Sequence, residues 1–292
     1  MRPNTLSLGT AQFGTSYGIA NRSGQVPRAE VASILSYALA QGVDSLDTAI
    51  GYGDSEAILG EIGVGQFNVV TKLPPMPADV VDIKRWVGDQ VSDCLTRLKQ
   101  ETLYGLLLHR SHDLQDAAGS ILANELSEVK RQGLVEKVGV SIYNPSELES
   151  VVKLLELDLI QAPLNLVDRR LATSGWLDRL KQLNVEVHTR SAFLQGLLLM
   201  TRGLIPEKFE RWAGLWDSWA DSLQETGVSP LSACLAYPLS HPQVDRVVVG
   251  VDSLAQLREL VHAAQQPLIE SDFDFMTMDD EKLINPSRWS EL

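Results

Sequence analysis

The sequence is short of cysteine and of positive charge. Its 292 residues include two cysteines, Cys94 and Cys234, which lie far apart and in no spacing typical of a metal site or a disulfide framework. Lys and Arg number 25 against 38 Asp and Glu, which gives a formal net charge of −13. Nucleic acid and anionic membrane surfaces are bound by clustered cations, so neither is an expected partner.

Long apolar runs are missing as well. The longest, at residues 193–200, contains Gln195 and Gly196 and is too short to span a bilayer. Residues 1–4 lack the apolar segment of a signal peptide and lead directly into a predicted strand. These features predict a cytoplasmic protein that has neither a bound metal nor a membrane anchor.

Short β-branched or apolar segments alternate with amphipathic helical segments along the chain. Strands are predicted at residues 5–10, 45–49, 68–72, 104–109, 137–142, 159–165, 186–192 and 246–251. Helices are predicted at residues 28–41, 55–62, 81–99, 115–131, 145–155, 172–183 and 254–264. This alternation, with no Pro/Gly/Ser-rich linker, is typical of an α/β fold in which eight parallel strands close into a (β/α)₈ TIM barrel. Residues 1–292 are therefore predicted to form one domain.

Two parts of the chain depart from strict alternation. Helical segments at residues 206–226 and 230–239 both precede the last predicted strand, so one of them is an extra helix. Residues 266–292 are irregular and mostly acidic. We expect them to form a C-terminal tail over the barrel mouth.

Reactive side chains lie at or near the carboxyl ends of three consecutive predicted strands. The second strand contains Asp47, with Tyr52 soon after it. The third ends in Lys72 and the fourth in His109. Any one of these residues alone is more often a cap, a packing residue or a solvated end. Because the carboxyl ends of barrel strands meet at one mouth, their coincidence predicts an active site there.

The residue types fit carbonyl reduction. Such a reaction needs a hydride on carbon and a proton on oxygen, and a tyrosine hydroxyl, with an ordinary pKa of about 10, can donate that proton once its pKa is lowered. Lys72 is the predicted cation that lowers it, and Asp47 the carboxylate that holds Lys72. His109 is expected to donate a hydrogen bond to the substrate oxygen.

The chain carries, in order, Leu8-Gly9-Thr10, Asp47-Thr48-Ala49 with Tyr52, Thr71-Lys72, Leu107-Leu108-His109, Gly139-Val140-Ser141, Gln161 and Gly196-Leu197-Leu198. In their order and spacing these motifs resemble the aldo-keto reductase family, and bacterial members in particular. The resemblance implies a catalytic tetrad of Asp47, Tyr52, Lys72 and His109, with an extended NADPH across the strand ends. A narrower resemblance to bacterial members of sugar biosynthesis implies a sugar-like aldehyde or ketone as the small-molecule substrate.

The resemblance also implies where the cofactor is held. Ser141 and Gln161 match positions that bind the nicotinamide carboxamide, residues 191–196 match the loop over the pyrophosphate, and residues 250–259 match the adenosine site. The implied cofactor contacts are Gly9, Thr10, Ser141, Gln161, Arg190, Ser191, Phe193, Gln195, Gly196, Gly250, Ser253, Gln256 and Glu259. The implied cofactor is NADP(H), with NAD(H) as the alternative.

Three positions depart from the family pattern. Ile142 replaces a common asparagine, which removes one hydrogen bond to the carboxamide. Arg190 replaces a ring that stacks on the nicotinamide, and its charge is expected to weaken retention of the oxidised cofactor. Asp252 stands where a cation commonly binds the adenosine 2′-phosphate, which leaves Ser253 and Arg258 as the predicted phosphate ligands.

Two other functions remain open. Lys72 could serve as a Schiff-base nucleophile in a lyase of the same fold, although this gives Asp47, Tyr52 and His109 no shared role. The chain could also be a regulatory protein that binds the cofactor and turns over slowly. The substrate pocket is expected to include Tyr17, Phe13 and His112, with the C-terminal tail as a lid. The tryptophan-rich residues 212–219 are expected to belong to a hydrophobic core or an interface.

Overall fold

The computed structural model describes residues 5–266 and 273–292. Residues 1–4 and residues 267–272 of the predicted tail lie outside the described part. Within it, parallel strands pair in chain order and close into a barrel of eight, since β1 pairs with both β2 and β8. The strands are β1 Leu6–Gly9, β2 Ser45–Asp47, β3 Asn68–Leu73, β4 Leu103–Leu108, β5 Val135–Ser141, β6 Leu159–Pro163, β7 Glu186–Arg190 and β8 Arg246–Gly250. The predicted TIM barrel is confirmed.

Helices follow the strands on the outside of the barrel. They are α1 Ala11–Gly14, α2 Arg28–Ala40, α3 Ser55–Ile62, α4 Ile83–Leu98, α5 Gly119–Arg131, α6 Leu148–Leu154, α7 Arg170–Thr173, α8 Trp176–Gln182, α9 Ala213–Thr226, α10 Pro230–Leu239, α11 Leu254–Gln265 and α12 Glu281–Ile284. Both α9 and α10 lie between β7 and β8, so the extra helix is confirmed. Across the described ranges, no helix combines the length and the apolar character needed for a membrane span.

Local side-chain chemistry sets where several elements begin and end. Ser253 caps α11 by accepting a hydrogen bond from the backbone N–H of Gln256. Strand β6 ends before the predicted residue 165, because the Asn165 side chain accepts from the backbone N–H groups of Val167 and Asp168 and turns the chain. The single helix predicted at residues 172–183 is instead two short helices, divided at Gly175, where φ is +78°.

A second hydrophobic core lies beside the barrel core. Trp212, Trp216 and Trp219 are buried in it, so the tryptophan-rich segment is core rather than interface. The C-terminal tail packs on the same core through buried Phe273 and Trp289. The ring of Trp289 lies 4.9 Å from that of Phe209, edge to face.

Candidate active site

A cavity of about 780 Å³ opens at the carboxyl ends of the strands. It reaches from Asp47, Tyr52 and His109 to Asp252 and Glu259. Among the residues predicted from the sequence, those that line it are Gly9, Thr10, Asp47, Tyr52, His109, Ser141, Gln161, Arg190, Ser191, Phe193, Gln195, Gly196, Gly250, Gln256 and Glu259. The predicted residues that do not line it are Lys72, Ser253, Arg258, Phe13 and His112.

Lys72 lies behind Asp47 and is held on three sides. Its Nζ donates to Asp47 Oδ1 at 2.7 Å, to Asp47 Oδ2 at 2.8 Å and to the carbonyl oxygen of Thr48 at 2.9 Å. The lysine side chain is 1% exposed. Burial lowers the pKa of Lys72, and the Asp47 carboxylate opposes this shift. The predicted Asp47–Lys72 pair is present, and it makes one fixed, buried ion pair at the base of the site.

Gln161 is the second neighbour of Asp47. Its Nε2 donates to Asp47 Oδ1 at 2.6 Å. Gln161 on β6 also pairs in register with Ser141 on β5, and both line the cavity. The two residues implied for the nicotinamide carboxamide are therefore adjacent, and one of them also donates to the Asp47 carboxylate.

Tyr52 and His109 face each other at the same end of the cavity. Their ring centroids are 6.0 Å apart with an interplanar angle of 82°, and Lys72 Nζ lies 5.3 Å from the centroid of the Tyr52 ring. Both rings are half-buried. The three residues thus come from the ends of β2, β3 and β4 to one point, as the sequence predicts.

The pKa shifts at this point correct one expectation. Burial, aided by the charge of Asp47, raises the pKa of Tyr52, whereas the sequence argument required it to fall. Arg190 is the cation that opposes this rise, rather than Lys72. Burial also lowers the pKa of His109 to about 4, with Lys72 and Arg190 adding to the effect. Without cofactor, Tyr52 is therefore protonated and His109 neutral at physiological pH.

Arg190 is fixed by Ile142, Ser191 and Tyr143, of which sequence reasoning missed Tyr143. Its guanidinium lies 4.4 Å from the centroid of the Tyr143 ring. One nitrogen, Nη2, donates to the carbonyl oxygen of Ile142 at 2.9 Å, and Nη1 donates to Ser191 Oγ at 3.2 Å. These contacts hold the positive charge of Arg190 in one orientation. In the sequence, the aromatic residue Tyr143 directly after Ile142 could have indicated a ring at this site.

Residues 17–21, the strap, join the loops that follow β7 and β8. Gln195 Nε2 donates to the Tyr17 hydroxyl at 3.3 Å, and Asn21 Nδ2 donates to Asp252 Oδ1 at 3.1 Å. A Cβ placed on Gly196 would lie 2.5 Å from the Cβ of Ala20, and Gly196 has φ +91°. The strap therefore lies directly against the loop after β7, in a contact that requires glycine there.

The adenosine end differs from the expectation at two residues. Asp252, Gln256 and Glu259 line the cavity, but Ser253 does not, because its hydroxyl caps α11. Arg258 does not line it either, and its guanidinium lies 5.5 Å from the centroid of the Tyr37 ring. The two predicted ligands of a 2′-phosphate are thus engaged elsewhere.

The predicted substrate pocket is correct in part. Tyr17 lines the cavity, and so do Pro286 and Ser287 of the tail. Phe13 does not, because it is fully buried in the core between the barrel and its helices. His112 is exposed and lies outside the cavity.

A nicotinamide dinucleotide fits the groups that line this cavity. A Cβ on Gly250 would fall 2.5 Å from Gln12 Nε2, so the Gln12 side chain packs directly on the backbone of Gly250 at the cavity wall. Three residues in a row, Leu194, Gln195 and Gly196, have left-handed φ values of 44°, 53° and 91°, and this tight turn brings main chain to the cavity edge. No group of three or more His, Cys, Asp or Glu in the described ranges is arranged to hold a metal ion.

Comparison with known proteins agrees with this geometry. The sequence model of the Aldo/keto reductase family matches residues 5–278. The chain is 26% identical over 280 residues to the uncharacterized oxidoreductase YqkF of Bacillus subtilis, covering 88% of this chain and 90% of that protein. It is 25% identical over 256 residues to the 6-dehydroglucose reductase of Novosphingobium aromaticivorans, covering 81% of each.

A solved structure shares the fold. The holo form of aldo-keto reductase AKR11C1 from Bacillus halodurans superposes with a TM-score of 0.73 at 20% identity, covering 93% of this chain and 90% of that one.

Proposed function

Because the chain belongs to the aldo/keto reductase family, a family of carbonyl-reducing oxidoreductases, we propose that it reduces an aldehyde or ketone to an alcohol with a nicotinamide dinucleotide. The observation that carries this proposal is the meeting of Asp47, Tyr52 and His109 at one end of a single cavity. The cofactor, when bound, supplies the hydride. We also propose that the protein is cytoplasmic. Its two cysteines are both free thiols, which fits a reducing compartment.

Tyr52 is the proton donor in this proposal. Its raised pKa keeps the hydroxyl protonated at neutral pH, and the proton moves only as the substrate oxygen gains negative charge and becomes more basic than the phenolate. His109, with its pKa near 4, is neutral and can donate a hydrogen bond to the substrate oxygen without carrying charge. Arg190 is the cation that favours the phenolate left after proton transfer, while the ammonium of Lys72, 5.3 Å from the Tyr52 ring centroid, is paired with Asp47.

The remaining lining residues hold the cofactor. Ser141 and Gln161 are placed side by side for the nicotinamide carboxamide, and residues 191–196 supply the backbone turn for the pyrophosphate. Residues 250–259 hold the adenosine end. Arg190, fixed beside the tetrad, disfavours a cationic ring, so the oxidised cofactor should leave more readily than the reduced one.

The substrate that fits best is a polyhydroxylated, sugar-like carbonyl compound. The cavity wall near the tetrad combines aromatic rings, Tyr17 and Tyr143, with polar groups such as Ser287. Aromatic faces pack on the C–H faces of a sugar while hydroxyls find hydrogen bonds at the rim. A relative of this chain is named for the reduction of 6-dehydroglucose, which supports the same class.

The lyase alternative is disfavoured by the position of Lys72. A Schiff-base lysine needs a free amine that reaches the substrate. Here Nζ donates three hydrogen bonds, to Asp47 and Thr48, and does not line the cavity. A regulatory role with slow turnover is separated from the enzyme by the experiment below.

Tyr52→Phe is the experiment that tests the proposed reaction. Because it removes only the proton donor, kcat for aldehyde, ketone and sugar-aldehyde reduction should fall by roughly two to four orders of magnitude. Cofactor affinity, followed by fluorescence titration, should stay unchanged. Tyr37→Phe, on α2 and outside the cavity, is the matched control and should keep full activity. Reduction at the parent rate by Tyr52→Phe would show that the mechanism is wrong.

A further inference from the structure

The two ends of the cavity have different charge. At the tetrad end lies Arg190, and at the opposite end lie the carboxylates of Asp252 and Glu259. If the proposed function holds, the reacting nicotinamide must lie beside Tyr52, so the adenosine half of the same dinucleotide must extend to the acidic end. The adenosine ribose therefore meets Asp252 and Glu259.

No cation of the described chain lines this acidic end. Arg190 is the one Lys or Arg among the lining residues of the described part, and its bonds to Ile142 and Ser191 keep it at the tetrad end. Arg258 lies against Tyr37, outside the cavity. Arg22, next to Asn21 in the chain, is exposed and also outside the cavity wall.

Asp252 is held in place from two sides. Asn21 Nδ2 of the strap donates to its Oδ1 at 3.1 Å. Its backbone N–H donates to Gln256 Oε1 at 2.7 Å. The Gln256 side chain also hydrogen-bonds to the carboxylate. The side chain is thus oriented by the protein, with its charge at the cavity wall.

A carboxylate at this place, with no cation among the described residues lining the cavity beside it, distinguishes the two forms of the cofactor. The 2′-hydroxyl of NADH can donate a hydrogen bond to a carboxylate, which is how acidic residues select NAD in other dinucleotide sites. The 2′-phosphate of NADPH is an anion that needs charge-assisted donors, and a carboxylate repels it.

We propose that Asp252 makes this chain selective for NADH over NADPH, by accepting a hydrogen bond from the adenosine 2′-hydroxyl and repelling a 2′-phosphate. The proposal rests on the proposed function in one respect, namely that the cavity holds a nicotinamide dinucleotide. It replaces the NADPH preference that family resemblance implies.

Dissociation constants for NADH and NADPH test the proposal directly. Fluorescence titration of the parent protein should give a Kd for NADH at least about tenfold below that for NADPH, a difference of about 1.4 kcal/mol. Asp252→Asn should tighten NADPH and weaken NADH, moving the ratio by about tenfold. Asp221→Asn, an exposed residue on α9 outside the cavity, removes the same charge and should leave both constants unchanged.

Two further measurements, the dependence of NADPH binding on ionic strength and the affinity of Arg22→Ala, test whether a cation binds the 2′-phosphate. Because salt screens repulsion, raising the ionic strength should not weaken NADPH binding to the parent protein, whereas a cation–phosphate contact would be weakened. Arg22→Ala should leave the NADPH affinity unchanged. Tighter binding of NADPH than NADH, an unmoved ratio in Asp252→Asn, or selective loss of NADPH in Arg22→Ala would each overturn the proposal. If neither NADH nor NADPH binds, the proposed function itself is wrong. If both bind and the selectivity is not as stated, only the role proposed for Asp252 is wrong.

Discussion

Asp47 accepts hydrogen bonds from Lys72 and Gln161, and this shared carboxylate links the proposed tetrad to the proposed cofactor site. A buried carboxylate that lost the lysine would remain charged with a single amide donor, which is costly. Lys72 therefore stabilises the buried charge of Asp47. Its three acceptors hold the ammonium in one position behind the site.

The pH dependence of reduction follows from the state of Tyr52 and His109. The pKa of His109 is lowered to about 4, so the ring is neutral above that pH and begins to gain charge only as pH falls towards 4. The pKa of Tyr52 is raised, so its proton is retained through the neutral range. We expect kcat for reduction to change by less than about twofold between pH 5 and pH 8.

Steady-state kinetics at saturating cofactor, in overlapping buffers, measures this profile. A falling limb with a midpoint near the ordinary histidine pKa of about 6.5 would contradict it, because His109 would then be titrating in the working range. His109→Gln, which cannot titrate, identifies the source of any such limb.

The meeting of Asp47, Tyr52, Lys72 and His109 could be predicted from the sequence, whereas their electrostatics could not. Asp47, Lys72 and His109 follow strands that the hydrophobic pattern reveals, and parallel strands bring their ends together. The pKa direction of Tyr52 depends instead on how deeply the ring is buried and on Arg190, which approaches from β7. Burial depth is a three-dimensional quantity, so neighbours in the sequence do not report it.

At the scale of elements, the strap is the part of the site that the sequence did not reveal. Residues 17–21 form neither helix nor strand. They contact residues 195, 196 and 252, and the two hydrogen bonds among these contacts join residues that are 178 and 231 positions apart in the sequence. Periodicity detects regular elements, while a loop that is ordered by distant partners leaves no periodic signal. Phe13 was wrongly assigned to the pocket because its nearness in sequence to the end of β1 does not show which way its side chain points, and it packs in the barrel core.

Gly196→Ala tests whether the strap matters for binding. The added methyl group would collide with Ala20, and a left-handed φ costs a non-glycine residue about 1–2 kcal/mol. We expect the Kd of the reduced cofactor to rise by about tenfold, which corresponds to about 1.4 kcal/mol. Isothermal titration calorimetry measures the change.

Two variants control this experiment. Gly203→Ala adds the same methyl group where no atom lies within 4 Å and should bind the cofactor normally. Ala20→Gly, combined with Gly196→Ala, removes the collision and should recover part of the affinity. An unchanged Kd in Gly196→Ala would show that the strap does not contribute to cofactor binding.

At the scale of the whole molecule, a polar network ties together strands at the amino end of the barrel. The Tyr104 hydroxyl donates to Glu186 Oε2 at 2.8 Å, and Lys137 Nζ donates both to the Tyr104 hydroxyl at 2.6 Å and to Glu186. His188 Nε2 lies 2.7 Å from Glu186 Oε1. Burial alone would raise the pKa of Glu186, but hydrogen bonds from His188 and Lys137 outweigh it and lower the pKa to about 2.

This network predicts how stability responds to acid. Because the folded-state pKa of Glu186 is lowered, its contribution is present above the unfolded pKa of about 4.3 and is lost as pH falls towards 2. Glu186→Gln should reduce the free energy of unfolding at pH 7 by on the order of 3 kcal/mol.

Urea unfolding of both proteins from pH 7 to pH 2 tests this, and the difference between them should shrink below about pH 4.3. Glu225→Gln, exposed on α9, should show no such difference. A gap that stays constant with pH would show that the network does not depend on the charge of Glu186.

The two hydrophobic cores divide the active site between them. The barrel core supports the strand ends that carry Asp47, Lys72 and His109, while the tail that supplies Pro286 and Ser287 packs on the tryptophan core. Under the proposed function, mutations in the tail would therefore alter substrate preference and leave the strand-end residues of the reaction unchanged. In a gene that has been duplicated, this arrangement would let one copy acquire a new substrate while it keeps that reaction.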